Sequence, residues 1–400
     1  MFPALDAPLS MQTDAARAIP PRPNRSRPKE KETHGSVASS LIRDAIDIDT
    51  DLATANQKEF MLTRITHTLV SVVLVGAITA AAVYAGEVSH FSPGVPNIRD
   101  LAVPEPGLYV VVYNYGYLTD RLNDASGNKL SSVTLGPGSN VTLNVNVDVS
   151  AYALAPTLIW VSKYQFLGAK YGAYVAPTFT NTSINGLISA AGRAGRSAST
   201  SQFNIGDTFV QPVWLGWTKK HFDAAYGYGF YIPSGKYKID TVTVPAVGAV
   251  RVEAADNTGF GFWTNQNQGA LYIYPWADRR LAIQNGLTWE INRKKRSFDL
   301  TPGQNLTYNW GLSQFLPLKK DQSLLAEVGP VGYDSFQVSN DSGTAARNPG
   351  VHDRVHAVGV QVGVTAPKRG MVLNFRWLHE YSAVDRFQGS SIGLNFALTL

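Results

Sequence analysis

Cysteine is absent from the 400 residues of this chain. Its absence excludes thiolate catalysis, cysteine-ligated zinc and disulfide bonds, and it suits a protein that crosses an oxidising periplasm. Charged residues are also scarce, at 16%, and they form no basic stripe of the kind that nucleic acid requires. The sequence contains no Gly-x-Ser-x-Gly elbow and no Walker-type loop. We therefore expect a protein that is not an enzyme, with no cofactor, no metal and no nucleic-acid partner.

The first 60 residues are polar, rich in proline and charge, and without sustained periodicity. Such a composition predicts a disordered extension, and residues 1–60 are interpreted as a possible mis-assigned start ahead of Met61.

Residues 61–85 have the layout of a secretory signal peptide. A basic start at Arg64 precedes an apolar run over 69–83, which is short for a bilayer span. Small residues follow, so we predict cleavage between Ala85 and Gly86 and export through the periplasm. Residues 86–106 are rich in proline and glycine, and we predict that they form a periplasmic lead-in.

From Gly107 to Leu400 the hydrophobic period is two. At the C-terminus one face of the alternating pattern is entirely apolar, formed by Ile392, Leu394, Phe396, Leu398 and Leu400. Twelve segments of about strand length are predicted, at 107–117, 141–162, 166–179, 207–217, 221–232, 258–275, 279–292, 304–317, 322–338, 354–366, 370–382 and 389–400. The predicted fold is an all-β, transmembrane, antiparallel up-and-down β-barrel of about 12 strands, of the outer-membrane type.

The face opposite the apolar one carries small and polar residues, which make a poor core for a second sheet but a good wall for a wet lumen. The pattern predicts a pore lining of Asp148, Lys170, Asp223, Gln284, Glu290, Asn309, Glu327, Gln337, Gln361, Asn374, Arg376 and Glu380. These residues either select solutes or form a hydrogen-bonded plug in which Arg376 meets Glu327, Glu380 or both.

Aromatic residues end the apolar strips and predict girdles at the two water interfaces. The predicted girdle contains Tyr113, Tyr115, Trp214, Trp217, Tyr274, Trp276, Trp289, Trp310, Trp377 and Tyr381.

Several stretches resemble the phenol-degradation meta-pathway protein family, whose relatives include sphingosine-responsive porin-like proteins. The similar stretches occur in order at 93–100, 212–218, 221–223, 233–237, 301–304, 328–333, 337 and 341–343. The resemblance implies an outer-membrane barrel, encoded near aromatic-degradation genes, that takes up small hydrophobic or aromatic solutes.

Other interpretations stay open at this point. His379 with Ser382 is compatible with an embedded lipid hydrolase, although His379 is expected on the lipid side. A closed structural barrel whose loops at 181–204 and 339–354 bind a ligand is a further alternative. The His352, Asp353 and His356 group is more simply a solvated turn than a metal site. Expected partners are the lipid bilayer and lipopolysaccharide, while the basic clusters 219–220 and 293–296 are expected at strand ends.

Overall fold

The computed structural model describes residues 89–134, 142–190, 193–200, 202–244, 248–254, 256–346 and 348–400. The extension 1–60, the signal segment 61–85 and the cleavage site Ala85-Gly86 lie outside these residues and stay predictions. The strands are β1 Gly107–Thr119, β2 Ser132–Thr134, β3 Thr142–Phe166, β4 Ala169–Ala176, β5 Phe179–Ala190, β6 Arg193–Thr200, β7 Asn204–Ile205, β8 Thr208–Thr218, β9 Phe222–Ile232, β10 Ile239–Val244, β11 Gly248–Glu253, β12 Thr264–Ile273, β13 Leu281–Asn292, β14 Asn305–Pro317, β15 Leu325–Gln337, β16 Arg354–Ala366, β17 Met371–Val384 and β18 Ser390–Thr399.

Twelve of these strands close into one antiparallel barrel. The ladder runs β1-β18-β17-β16-β15-β14-β13-β12-β9-β8-β4-β3, and the pairing of β1 with β3 closes the ring. Every strand predicted from the alternation is present, which confirms the fold class. Closure leaves the barrel without a free edge, the condition for a sheet in a hydrocarbon solvent.

The sequence analysis missed the shorter strands. The segment 181–204, predicted to be a loop, contains β6, β7 and most of β5, and a separate hairpin is formed by β10 and β11. These strands lie at one end of the barrel, where the connections are long, and this end is called the far end. The near end carries short turns and the chain terminus, where Leu400 donates its backbone N–H to Leu108.

Side chains alternate between an apolar outer face and a polar or small inner face. On β17, Met371, Leu373, Phe375 and Trp377 are exposed on the outer face, whereas Asn374 and Arg376 are buried. Strand β16 repeats the pattern with exposed valines between inward glycines and Gln361. Among the described residues, no helix has the length and apolarity to span a bilayer.

Candidate functional site

The lumen of the barrel contains residues 89–106, called here the lumen segment. It was predicted to be a periplasmic lead-in, and the structure contradicts this prediction because the segment contacts inward side chains along the depth of the barrel. At the far end His90 contacts Asp207, and at the near end Glu105 pairs with Lys170 at 2.7 Å. The sequence could have revealed this only through the unusual excess of inward polar groups, which need partners when they are buried.

At the far end His90 is buried between aromatic rings. Its ring stacks on Tyr231, with centroids 4.6 Å apart, and meets Phe260 and Phe262 edge-on. Its Nε2 lies 2.9 Å from Asp207 Oδ2 and its Nδ1 lies 2.8 Å from Thr264 Oγ1. Both ring nitrogens are therefore tied to the barrel, which fixes the far end of the lumen segment.

Along the barrel depth, side chains of β12 to β18 hydrogen-bond to the backbone of the lumen segment. The inward faces of these strands are called the polar wall. Glu290 accepts from the Phe91 N–H at 2.9 Å, Gln361 from the Ile98 N–H at 3.1 Å, and Tyr272 Oη from the Leu101 N–H at 3.1 Å. These side chains replace the strand partner that the segment's backbone lacks, as buried peptide groups require.

Two arginines join the segment to the polar wall near the segment's centre. Arg99 of the segment donates to Glu327 at 2.9 Å and lies over the ring of Phe315, 4.0 Å from its centroid. Arg376 of β17 donates to the carbonyl of Pro96. The prediction that Arg376 meets Glu327 or Glu380 is therefore wrong, because the lumen segment takes Glu327.

Glu380 has partners of its own. It accepts hydrogen bonds from the hydroxyls of Tyr117 and Tyr333, each at 2.7 Å.

Glycines on the inner faces of β8 and β13 make room for the apolar side chains of the segment. A Cβ on Gly216 would lie 2.5 Å from the Cβ of Val103, and one on Gly286 would lie 2.6 Å from Leu101 Cδ1. Both distances are well below van der Waals contact, so these glycines allow the segment to approach the wall closely.

The structure places the predicted pore-lining residues as follows. Those that are buried on the inner face are Asp223, Gln284, Glu290, Asn309, Glu327, Gln337, Gln361, Asn374, Arg376 and Glu380. Lys170 faces the near-end mouth. Asp148 is exposed on the outer face, contrary to prediction, because the neighbouring Val147 and Val149 turn inward and pack with Leu122. Apolar inward residues at this level of β3 misled the alternation argument.

Opposite the polar wall lies a cavity of about 170 Å³. The wall that bounds it, formed by β1, β3, β4 and β8, is called the small-residue wall because Ala153, Ala155, Thr157 and Ala176 line it. The aromatic residues of the barrel strands that line the cavity are Tyr113, Tyr115, Tyr174, Phe209, Trp214 and Tyr231, and His90 and Phe91 of the lumen segment line it as well. The side chains of Gln266 and Gln268 also reach it, and the Gln266 Oε1 atom is buried without a hydrogen-bond partner.

Next to this cavity the hydrogen-bond ladder of the barrel is interrupted. β3 pairs with β5 up to Leu154–Phe179 and with β4 from Leu158–Val175, in the same register. Between these pairs Pro156 lies opposite Pro177, and neither proline has a backbone N–H to donate. The interruption covers three residues of each strand, about 10 Å at 3.3 Å per residue.

The predicted aromatic girdle is wrong for four residues. Tyr113 and Tyr115 line the cavity, as does Trp214, and Tyr274 is buried and donates to Asp223 at 2.8 Å. Trp214 turns inward because a β-bulge between Val210 and Val213 inserts one residue and reverses the facing of the strand beyond it.

The other girdle residues face outward. Trp276, Trp289, Trp377 and Tyr381 are exposed by 40–58% of their surface, while Trp217 and Trp310 are half-buried on the outer face. Their role as an interfacial girdle stays a prediction.

The groups proposed for other chemistry do not converge. His379 Nδ1 lies 3.0 Å from Ser390 Oγ, so its hydroxyl partner is not Ser382. His352 contacts Asn340 and His356 contacts Asp334. In the described part of the chain no group of three histidine or carboxylate side chains is placed to hold a metal ion.

The far-end mouth of the polar wall carries clustered carboxyl groups. Burial, followed by the charges of Asp353, Asp341 and Asp124, raises the pKa of Asp385 to about 7. Asp385 lies in the turn after β17 with a φ of 55°, a left-handed conformation that asparagine and aspartate tolerate better than most residues. We therefore expect the stability of this turn to depend on pH up to about pH 7.

A closed antiparallel barrel with an apolar belt and a polar interior is an outer-membrane barrel of the channel type. Residues 119–396 match the family model described as the MetA-pathway of phenol degradation, and the chain belongs to this family. The exposed apolar outer face of the closed barrel is the surface that contacts the bilayer. In such barrels the short turns face the periplasm, so the near end faces the periplasm and the far end faces the cell exterior.

Solved structures that match this chain do so at low identity. The COG4313 outer membrane channel from Pseudomonas putida F1 is 14% identical, with a TM-score of 0.48, over 78% of this chain and all of that chain. A FadL homologue from Pseudomonas aeruginosa is 10% identical, with a TM-score of 0.31, over 76% and 91% of the two chains. The translocator domain of the autotransporter NalP from Neisseria meningitidis is 12% identical, with a TM-score of 0.36, over 75% and 91%. Among curated proteins none matches this chain.

Proposed function

We propose that the protein takes up small aromatic compounds of phenol size across the outer membrane, and that it does so without enzymatic chemistry. The observation that carries this proposal is the aromatic cavity between the lumen segment and the small-residue wall. A cavity of about 150 Å³ accommodates one benzene ring, so about 170 Å³ suits a ring with one or two small substituents.

The polar groups of the cavity favour a phenol over a plain hydrocarbon. Gln266 Oε1 is unpartnered and its residue is 2% exposed, so it can accept a hydrogen bond from a hydroxyl that enters the cavity. A buried acceptor without a donor costs about 1–3 kcal/mol, and a ligand hydroxyl would remove part of this cost. Most of the remaining cavity surface is supplied by rings and methyl groups that match an apolar ring, and Ser92, Asp100 and Gln268 are further polar residues of the lining.

The interrupted ladder supports a lateral route between the cavity and the bilayer. Ala155, Thr157, Ala176 and Thr178 are the inward residues at the interruption, and all four line the cavity. No ladder pair joins residues 155–157 of β3 to residues 176–178, although both stretches pair with their other neighbours, so the wall separates at least cost between them. A solute that partitions into the membrane would pass here without crossing water.

The first experiment fills the cavity. Ala155→Phe should abolish phenol binding by the purified protein, measured by titration calorimetry, and should lower uptake by cells that express it. Ala151→Phe is the matched control, because Ala151 lies on the same face of β3 but does not line the cavity. Unchanged uptake with Ala155→Phe would refute the proposed site.

The second experiment closes the lateral route. Because the chain has no cysteine, Ala155→Cys with Thr178→Cys introduces a single crosslinkable pair across the interruption. Oxidation should stop uptake and reductant should restore it. Thr307→Cys with Ser335→Cys is the control, since these residues are paired in a continuous ladder and their hydroxyls lie 2.8 Å apart. Uptake that is unchanged by both crosslinks would exclude the lateral route. The solute would then have to pass along the axis of the barrel.

A further inference from the structure

The two basic clusters of the sequence lie at opposite ends of the barrel. Lys219 and Lys220 occupy the short turn after β8, at the near end, whereas 293–296 follows β13 at the far end. Only the far-end cluster therefore lies at the level of the outer leaflet of the outer membrane. In a Gram-negative cell the principal lipid of that leaflet carries phosphorylated lipid A.

The outer face of β13 changes abruptly from apolar to cationic. Leu287 and Trp289 are exposed on this face, Ile291 follows, and Arg293 is the next residue in the same alternation. Its backbone N–H donates to the Trp263 carbonyl at 2.8 Å, so Trp263 and Arg293 are cross-strand neighbours one step beyond the Thr264–Asn292 pair. The step from Ile291 to Arg293 marks the upper limit of the hydrocarbon region.

Two further arginines lie beside Arg293. Arg296 donates its backbone N–H to Gly261 at 2.9 Å, and Arg251 donates from Nη2 to the Ser297 carbonyl at 2.6 Å. The side chains of Arg251, Arg293 and Arg296 are all exposed. Together with Trp263 they form the rim patch.

The nearby carboxylates are already neutralised by lysines. Lys295 pairs with Glu253 at 2.5 Å, Lys294 pairs with Asp299 at 2.6 Å, and Lys236 pairs with Asp256. In the part of the chain that the structure describes, none of the three rim arginines forms an ion pair with a carboxylate. The patch thus retains a surplus of positive charge above an apolar surface.

We propose that the rim patch is a binding site for the phosphorylated headgroup of lipid A, with its acyl chains lying on the apolar surface below. Arginine guanidinium groups bind phosphate oxygens in pairs, and Trp263, exposed by 47%, has the amphipathic ring that suits the interface. Trp289 and Phe230, whose ring lies 6.1 Å from that of Trp263, extend the apolar surface towards the membrane.

The test measures lipid A binding to the refolded full chain in detergent, with bisphosphorylated lipid A as the probe. Arg293→Gln with Arg296→Gln should weaken binding about 25-fold, at roughly fivefold for each arginine near an anionic lipid surface. Lys219→Gln with Lys220→Gln, at the opposite end, should leave binding unchanged. Equal affinity in both double variants would overturn the proposal.

Two further probes identify the source of the phosphate. Dephosphorylated lipid A should bind the original chain and the arginine variant alike, whereas a difference between them would contradict a phosphate contact. Inorganic phosphate should not displace lipid A at millimolar concentration, because it lacks the acyl chains; displacement would overturn a lipid site. Heat-modifiable gel migration of each variant verifies that the barrel is folded, and the variant Arg293→Lys should retain most of the affinity.

Discussion

The two halves of the lumen differ in what they offer the lumen segment. The polar wall presents amide, carboxylate and hydroxyl groups that bond to the segment's backbone, as Glu290, Gln361 and Tyr272 do. The small-residue wall presents alanine, threonine and aromatic rings and leaves a cavity. The polar wall therefore supplies the hydrogen bonds to the segment's backbone, whereas the small-residue wall contacts the segment at points such as Lys170 and Gly216 and keeps space for a solute between them.

The largest expected effect comes from breaking the ion pair that holds the segment to the polar wall. Glu327→Leu leaves Arg99 without its carboxylate and should destabilise the seated segment by about 3–5 kcal/mol. The ion conductance of the protein in planar bilayers should rise severalfold as the segment leaves the lumen. Adding Arg99→Leu should restore a low conductance, because an apolar pair replaces the ionic one.

A matched control removes polar groups of the wall that do not touch the segment. Thr307→Val with Ser335→Ala deletes a hydroxyl pair between β14 and β15 and should leave the conductance unchanged. If Glu327→Leu and this control behave alike, the polar wall does not hold the segment through specific contacts.

A smaller effect is expected from substitutions of Gly216 in β8 and Gly286 in β13, the glycines that the segment approaches closely. Gly216→Ala places a methyl group against Val103, whose β-branched side chain cannot turn away, and should cost about 1–3 kcal/mol in thermal unfolding. Val103→Gly, which removes the Cβ that lies 2.5 Å from the new methyl group, should suppress this cost, giving a non-additive pair. Gly286→Ala should cost less, since the opposing Leu101 atom is the end of a flexible side chain, and Gly269→Ala, with open space around its Cβ, should be neutral. Additive costs for Gly216→Ala and Val103→Gly would show that the two residues do not compete for space.

Much of this comparison could be predicted from the sequence. The alternation placed Glu290, Gln361 and Arg376 on the inner face, because every second residue of a membrane strand must avoid lipid. The binding partner of these residues could not be predicted, since the lumen segment has no strand pattern and its contacts join residues that are far apart in the sequence, such as Phe91 and Glu290, which are 199 positions apart.

The small-residue wall was harder to predict from the sequence. Trp214 faces the cavity only because of the bulge before it, and a bulge has no reliable sequence signal at Pro212 alone. Tyr113 and Tyr115 occur in a strand where both faces are rich in large residues, so the alternation did not decide which face is inside. The cavity therefore lies where the alternation of apolar and polar residues is least informative about which side chains face inward.

A modest effect is expected from the polar anchor of the cavity. Gln266→Met removes the unpartnered acceptor and should lower the preference for phenol over toluene about fivefold, corresponding to about 1 kcal/mol, in titration calorimetry. Gln268→Met is the control, because the Gln268 Nε2 atom already donates to Thr288 at 3.3 Å. Equal losses in both variants would mean that Gln266 does not select the hydroxyl.

The smallest effect is expected at the far-end mouth of the polar wall, where Asp385 has a pKa of about 7. Because this pKa lies above the ordinary value of 3.8, the folded turn binds the proton more tightly than the unfolded chain does. The stability of the turn should therefore be highest below about pH 4, fall between about pH 4 and pH 7, and change little above that range. Hydrogen exchange in residues 385–389, corrected for the intrinsic pH dependence, should show this fall, and Asp385→Asn should abolish it while keeping the left-handed backbone. A pH dependence that persists in Asp385→Asn would assign it to Asp353 or Asp341 instead, whose pKa values burial also raises.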